Sequence, residues 1–191
     1  MNSRSDKALS SAPPTVVTTR LQLTMLSSAL SARPAIAVDT ESNSLFAYQE
    51  QVCLIQFSIP GADYLVDPLS GLDLSLLAGV FADPGIQKVF HAAEYDVMCL
   101  KRDFRFCFTN LFDTMWAARI LGWSRVGLGD VLKETFDVHT KKRYQRYNWG
   151  KRPLEPEALI YACMDTHYLL DLCQLQSDAL MQRGHWEEAL E

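Results

Sequence analysis

The sequence predicts an α/β domain, a mixed β-sheet flanked by α-helices, on the strength of three observations. The run Ala35-Ile36-Ala37-Val38 is short and wholly apolar, as a strand buried on both faces would be, and 88–91 reads similarly. Two β-rich runs, 52–59 and 63–66, are separated by Pro60-Gly61, the chemistry of a tight turn, so they form a hairpin. Beyond the hairpin, strand and helix patterns alternate, and that order covers a sheet with helices.

Taken in order, residues 1–14 are a polar, flexible lead-in that ends at Pro13-Pro14, and residues 15–191 make up the domain. The β-branched run 15–19 predicts a short strand, and a helical pattern over 21–32 stops before Pro34. The strand 35–38 runs directly into Asp39-Thr40-Glu41, so the first acids stand at the end of a core strand. After the hairpin come a helix over 73–81, the strand 88–91 and a helix over 93–102. Further helices are expected at 113–121, 129–136 and 155–182, the last being the longest.

The chain has 191 residues, 48% of them apolar, enough for one domain with a continuous core. Its N-terminus lacks the apolar stretch of a secretory signal, and no run reaches the length of a membrane span. A soluble, cytoplasmic protein with no membrane partner is expected. The five cysteines are odd in number, contain no CxxC and sit mostly in apolar runs, which reads as reduced, buried thiols. The four histidines also lack ligand spacing, which argues against zinc.

Several acids stand out. Asp39 and Glu41 are two apart, so on a strand they project from one face, where two carboxylates repel unless a cation joins them. A strand end reaching solvent would also accommodate them. Asp96 falls in the first turn of a helix, a position that the helix dipole favours for any acid. Tyr161 and Asp165 are one helical turn apart, and Asp165 lies among apolar neighbours, where a charge needs a partner or a metal. Four acids on separate elements beside the core suit hard divalent cations with oxygen ligands. Two such ions about 3.5–4 Å apart would stabilise both oxygens of an in-line phosphoryl displacement. On composition and spacing alone this is a candidate divalent-metal site.

The motifs go further. Ala37-Val38-Asp39-Thr40-Glu41-Ser42 with Gln51 to Gln56, then Lys88-Val89-Phe90-His91-Ala92-Ala93-Glu94-Tyr95-Asp96, resemble the first two motifs of the DEDD 3′→5′ exonucleases. Tyr161-Ala162-Cys163-Met164-Asp165-Thr166-His167-Tyr168 resembles the third motif of their tyrosine-containing branch, which includes ribonuclease D and the Werner-type exonuclease domain. Leu111-Phe112-Asp113-Thr114 and Asn148-Trp149-Gly150-Lys151-Arg152-Pro153-Leu154 fit the same pattern, and the resemblance covers roughly residues 15–182.

The resemblance implies a ribonuclease H-like fold and two Mg²⁺ or Mn²⁺ ions. It implies that Asp39, Glu41 and Asp165 hold the first ion, that Asp39 bridges to the second, and that Asp96 acts through water. Tyr161 would orient the attacking water and assist its deprotonation. A phenol titrating near pH 10 is a poor base at neutral pH, so the metal must supply most of the activation. Ribonuclease D proper continues into helical nucleic-acid-binding domains, whereas this chain ends at Glu191, so preferences that depend on those domains do not carry over.

A basic segment bears on the substrate. Residues 141–152 carry six cations (Lys141, Lys142, Arg143, Arg146, Lys151, Arg152), three aromatics and no acid, against a net charge of −5 for the whole chain. Cations interleaved with aromatics suit a flexible strand, with phosphates held electrostatically and bases stacked. A solvated loop with Trp149 capping the core is the alternative. Phe46, and Tyr48 beside it, could wedge against a terminal base or pack in the core. His91 reads as a satisfied strand-end histidine and Asp113 as a helix cap. The function expected is hydrolysis of single-stranded nucleic acid, RNA first, from its 3′ end to nucleoside 5′-monophosphates. The alternatives are a catalytically silent nucleic-acid-binding module, a DNA-directed exonuclease and an endonuclease on the same fold.

Overall fold

A computed structural model of the chain describes residues 13–140 and 142–189. Most of the proposed lead-in (residues 1–12), Lys141 and the side chain of Lys142 lie outside the described residues. Six strands form one mixed sheet in the order β1-β4-β3-β2-β5-β6. They are β1 (Thr15–Val17), β2 (Ala35–Ser42), β3 (Val52–Ile59), β4 (Ala62–Val66), β5 (Gln87–Phe90) and β6 (Leu111–Asp113). The β3–β4 hairpin and the β2–β3 pair are antiparallel; β1 joins β4, and β5 joins β2 and β6, in parallel. Gly61, at φ +83, supplies the left-handed residue of the hairpin turn.

Helices cover both faces. α1 (Arg20–Ser31), α2 (Ala78–Ala82) and α3 (Glu94–Phe104) pack on the face formed by Ile36, Val38, Phe57, Ile59 and Phe90. α4 (Thr114–Ile120), α5 (Leu128–Phe136), α6 (Pro156–His167) and α7 (Leu169–Arg183) cover the opposite face, which Ala37, Leu54, Val89 and Phe112 supply. The alternation along β2 therefore sends Ile36 and Val38 to one layer and Ala37, Asp39 and Glu41 to the other. No helix among the described residues is long and apolar enough to cross a membrane.

Five elements differ from the sequence expectation, beginning with β6, a strand where none was expected, formed by pairing with β5. β2 continues through both acids to Ser42, because its pairing with β3 persists past Glu41. Thr19 leaves the first strand to cap α1 in a capping box with Gln22. The expected helix at 73–81 is a 3₁₀ turn, Leu74–Leu77, tightened by the Asp73 cap on Ser75 and followed by the short α2. The expected long helix over 155–182 is broken at Tyr168 into α6 and α7. There the Thr166 hydroxyl bonds back to the Cys163 carbonyl and reaches Ser58 on β3 at 2.7 Å, drawing the end of α6 onto the sheet.

Candidate metal-dependent active site

Asp39 and Glu41 project from β2 toward α6, and Asp165, on the sheet-facing side of α6, descends to meet them. Their carboxylate oxygens lie within 4.8 Å of one another. Asp96 comes from the other helical layer. β5 pairs with β2 only over Ala35–Ala37, so the far half of β2 has no neighbour on that side. The first turn of α3 occupies that opening. The Thr40 hydroxyl, pointing away from the Asp39 face, donates to Asp96 Oδ1 at 2.5 Å and holds it there.

Asp113 supports this placement. Besides capping α4 through the Met115 amide, it accepts the Ala92 and Ala93 amides at 2.9 and 2.8 Å. Ala92 sits at φ +63, a left-handed conformation that costs an alanine about 1 kcal/mol, and these two bonds help keep it there. The turn so fixed launches α3 and sets the position of Asp96. His91 hydrogen-bonds Thr114 at 2.8 Å through Nδ1, but its buried Nε2 meets no partner, so the strand-end histidine expected to be satisfied is satisfied on one nitrogen only.

The four acids crowd one another. They are partly open to solvent, or nearly closed in the case of Asp96, yet enough protein surrounds each to disfavour its charged form. Burial, followed by the charges of Asp96, Asp165 and Glu41, pushes Asp39 well above the usual carboxylate range. Glu41 is raised by burial and then by Asp165 and Asp96. Burial carries Asp165 to about 7 despite the nearby Tyr161 hydroxyl, and Asp96 to about 6 despite the bond from Thr40. None of the ion pairs among the described residues involves these acids. An oxygen-only cluster that resists holding its own charge fits a hard divalent cation, which would restore the carboxylates to their ionised form.

Tyr161 lies one turn before Asp165, with its hydroxyl near enough to that carboxylate to favour the ionised form. Burial and the neighbouring acids push its ionisation far up, so its proton is firmly held. Its ring stacks with Trp149 at a centroid separation of 6.4 Å and tilts against Tyr144 at 5.6 Å. Beside Tyr161 and Asp165 opens a groove of about 450 Å³, lined also by Lys133, His139, Thr140 and Gln145. These four carry no motif and escaped the sequence reading, because Lys133 on α5 and three residues of the segment after it converge on a groove only through tertiary packing.

The basic segment divides between surface and core. Arg143, Arg146 and Lys151 are exposed, while Tyr144 and Trp149 are each only 2% exposed and belong to the core under α6. Those two rings pack inside rather than stack on bases. Arg152 also departs from the expectation of a phosphate contact. Its guanidinium grips Asp67 with two bonds of 2.7 Å and donates to the carbonyls of Cys53 and Trp149, leaving no free edge for phosphate. Arg152→Gln is therefore expected to cost about 2–3 kcal/mol, a melting temperature lower by about 5–10 °C. The salt dependence of oligonucleotide binding should stay as it was; a flatter salt slope with unchanged melting would restore Arg152 to the binding surface. Phe46 and Tyr48 are both exposed on the β2–β3 connection, outside the core.

The sequence profile of the 3′-5′ exonuclease family matches residues 14–178. The chain is 40% identical to Protein RRP6-like 3 of Arabidopsis thaliana over 167 residues, covering 87% of this chain and 19% of that protein. It superposes on the catalytic core of RRP6 from Trypanosoma brucei with a TM-score of 0.90 at 34% identity, covering 96% of this chain and 51% of that one. Escherichia coli RNase D, an exoribonuclease involved in structured RNA processing, gives a TM-score of 0.87 at 31% identity, covering 94% and 48%. The fold is the ribonuclease H-like one of these neighbours. The chain spans about a fifth of the curated relative's length.

Proposed function

This chain belongs to the 3′-5′ exonuclease family, and on that basis we propose that it removes nucleoside 5′-monophosphates from the 3′ end of single-stranded RNA. One observation carries the reading: Asp39, Glu41 and Asp165 gather their oxygens within 4.8 Å, with Asp96 and Tyr161 alongside. Preference for RNA over DNA rests on the relatives, among them an exoribonuclease.

In this reading Asp39, Glu41 and Asp165 would hold one Mg²⁺ or Mn²⁺, and Asp39, with Asp96 acting through water, would hold a second. Bound there, the ions supply activation of water at neutral pH and neutralise charge on the phosphate under attack. The protein contributes position. Thr40 and Asp113 fix Asp96; Tyr161, held by the Trp149 and Tyr144 rings and keeping its proton, would orient the attacking water instead of deprotonating it. Lys133, His139 and Gln145 line the groove that would receive the 3′-terminal nucleotides, and exposed Phe46 would wedge against the last base. Exposed Arg143, Arg146 and Lys151, with Lys141 and Lys142 as the remaining candidates, would attract the phosphate backbone. All five thiols are free and four are buried, which suits a reducing compartment such as the cytoplasm.

Matched 5′-labelled RNA and DNA oligonucleotides, incubated with Mg²⁺ and with Mn²⁺, test the proposal. A ladder shortening from the 3′ end, with nucleoside 5′-monophosphate products and RNA cut faster, is the expected outcome. Retention of intact oligonucleotide, or cleavage of a circular strand, would reject it. In the same assay Tyr161→Phe should lose about 10²-fold in kcat with little change in KM, as expected for a group that positions water.

A further inference from the structure

A second cluster of ligand-type side chains lies at the same C-terminal end of α6 as Asp165 but outside the acid cluster. Asp63 on β4 and Cys163 and His167 on α6 present oxygen, sulfur and nitrogen atoms within 4.8 Å of one another. Cys163 and His167 are four apart, so they share one face of the helix, the spacing that lets two helical side chains bind one ion. His167 Nδ1 stands 2.8 Å from Asp63 Oδ2, Ser58 donates to Asp63 Oδ1 at 2.5 Å, and the Cys163 sulfur lies within 4.8 Å of an Asp63 oxygen. A cavity of about 370 Å³ opens beside the cluster and is lined by Asp63, His167, Ser58 and Asp171, the last in the first turn of α7.

We propose that Asp63, Cys163 and His167 form a second metal site, of zinc class, with Asp171 available to complete it from the cavity. The donor set decides the class. One sulfur, one nitrogen and carboxylate oxygen suit a borderline-soft ion that takes four ligands at about 2.0–2.3 Å, unlike the all-oxygen cluster around Asp39. Cys163 is 1% exposed and its sulfur lies within 4.8 Å of the Asp63 and His167 ligand atoms. A metal-bound cysteine is a thiolate, so an ion must displace the S–H proton to solvent in order to bind. Zinc does this; Mg²⁺, with little affinity for sulfur, does not. The spread of the ligands explains why no zinc spacing shows in the sequence: Asp63 is 104 positions from His167 and arrives only when the β3–β4 hairpin packs under α6. A bound ion would pin the end of α6 to that hairpin, two residues beyond Asp165.

Cobalt is the probe, because a thiolate on Co²⁺ gives a near-ultraviolet charge-transfer band that oxygen ligands cannot give. The full chain, with its acid cluster saturated by Mg²⁺, is titrated with Co²⁺. One equivalent should raise the band, and Zn²⁺ should bleach it. Cys163→Ser should abolish it, whereas Cys107→Ser, which changes the single exposed thiol, should leave it intact. Should Cys163→Ser fail to fold, His167→Gln serves: the apparent affinity should fall at least about tenfold. Absence of a sulfur band in the parent protein, or an unchanged titration in Cys163→Ser or in His167→Gln, overturns the site.

Discussion

Asp165→Asn is expected to lose at least about 10³-fold in nuclease rate, equivalent to about 4 kcal/mol of transition-state stabilisation, and yet to melt higher than the parent protein in EDTA. The rate falls because an amide oxygen replaces a charged ligand in the trio with Asp39 and Glu41. The stability rises for a reason the same geometry supplies. Burial and the Asp96 charge raise Asp165 to about 7, whereas an unfolded aspartate ionises near 3.9. Between those values the folded protein holds a proton that the unfolded chain has released, so stability falls as pH climbs through the window. Above it the full cost of the buried charge is present, and asparagine does not bear it. Solvent at the open side of the pocket screens part of that cost, leaving a gain of about 2 kcal/mol, or roughly 4–8 °C, near pH 8. Below about pH 4 both states are protonated and the advantage should vanish. Thermal melts of both proteins in EDTA across this range check the sign. A variant that melts lower than the parent at pH 8 would mean the acids do not repel one another, and near-normal nuclease activity would remove Asp165 from the site.

Trp149→Ala should be the most damaging single change to the fold, costing about 3–5 kcal/mol. The indole is 2% exposed and lies between Tyr147, at 5.0 Å, and Tyr161, at 6.4 Å between ring centroids. Truncation leaves a cavity under α6 that the sheet above and the Tyr144 ring cannot collapse to fill. Against a typical margin of 5–15 kcal/mol this is a large share, and a melting temperature lower by about 10 °C or more is expected. Because Trp149 backs the ring of Tyr161, activity measured well below the melting transition should fall as well, through a loosened tyrosine. Trp149→Phe, which keeps an aromatic wall, should recover most of both losses. A melting temperature within 2 °C of the parent for the alanine variant would place Trp149 outside the core.

The two halves of the site differ in how they are written into the chain. Bond geometry puts Asp39 and Glu41 on one side of any strand and Tyr161 and Asp165 on one side of any helix, so both pairings were legible without a fold. The hairpin at Pro60-Gly61 was local in the same sense, because two residues carry the whole turn. The motif order then identified the family. Other features depend on which elements meet. Asp96 reaches the acids because β5 stops short along β2 and Thr40, 56 positions away, holds it. The break at Tyr168 follows from Thr166 bonding Ser58 across the layer, 108 positions apart, and no propensity of the helical segment marks it. Arg152 looks like any other cation in a basic run until Asp67 and the Cys53 carbonyl close around it. Backbone periodicity acts over a few residues and can be read directly. The partner of a buried charge or a distant hydroxyl is chosen by packing, where contacts between far-apart segments compete for the same space, and only the assembled fold decides among them.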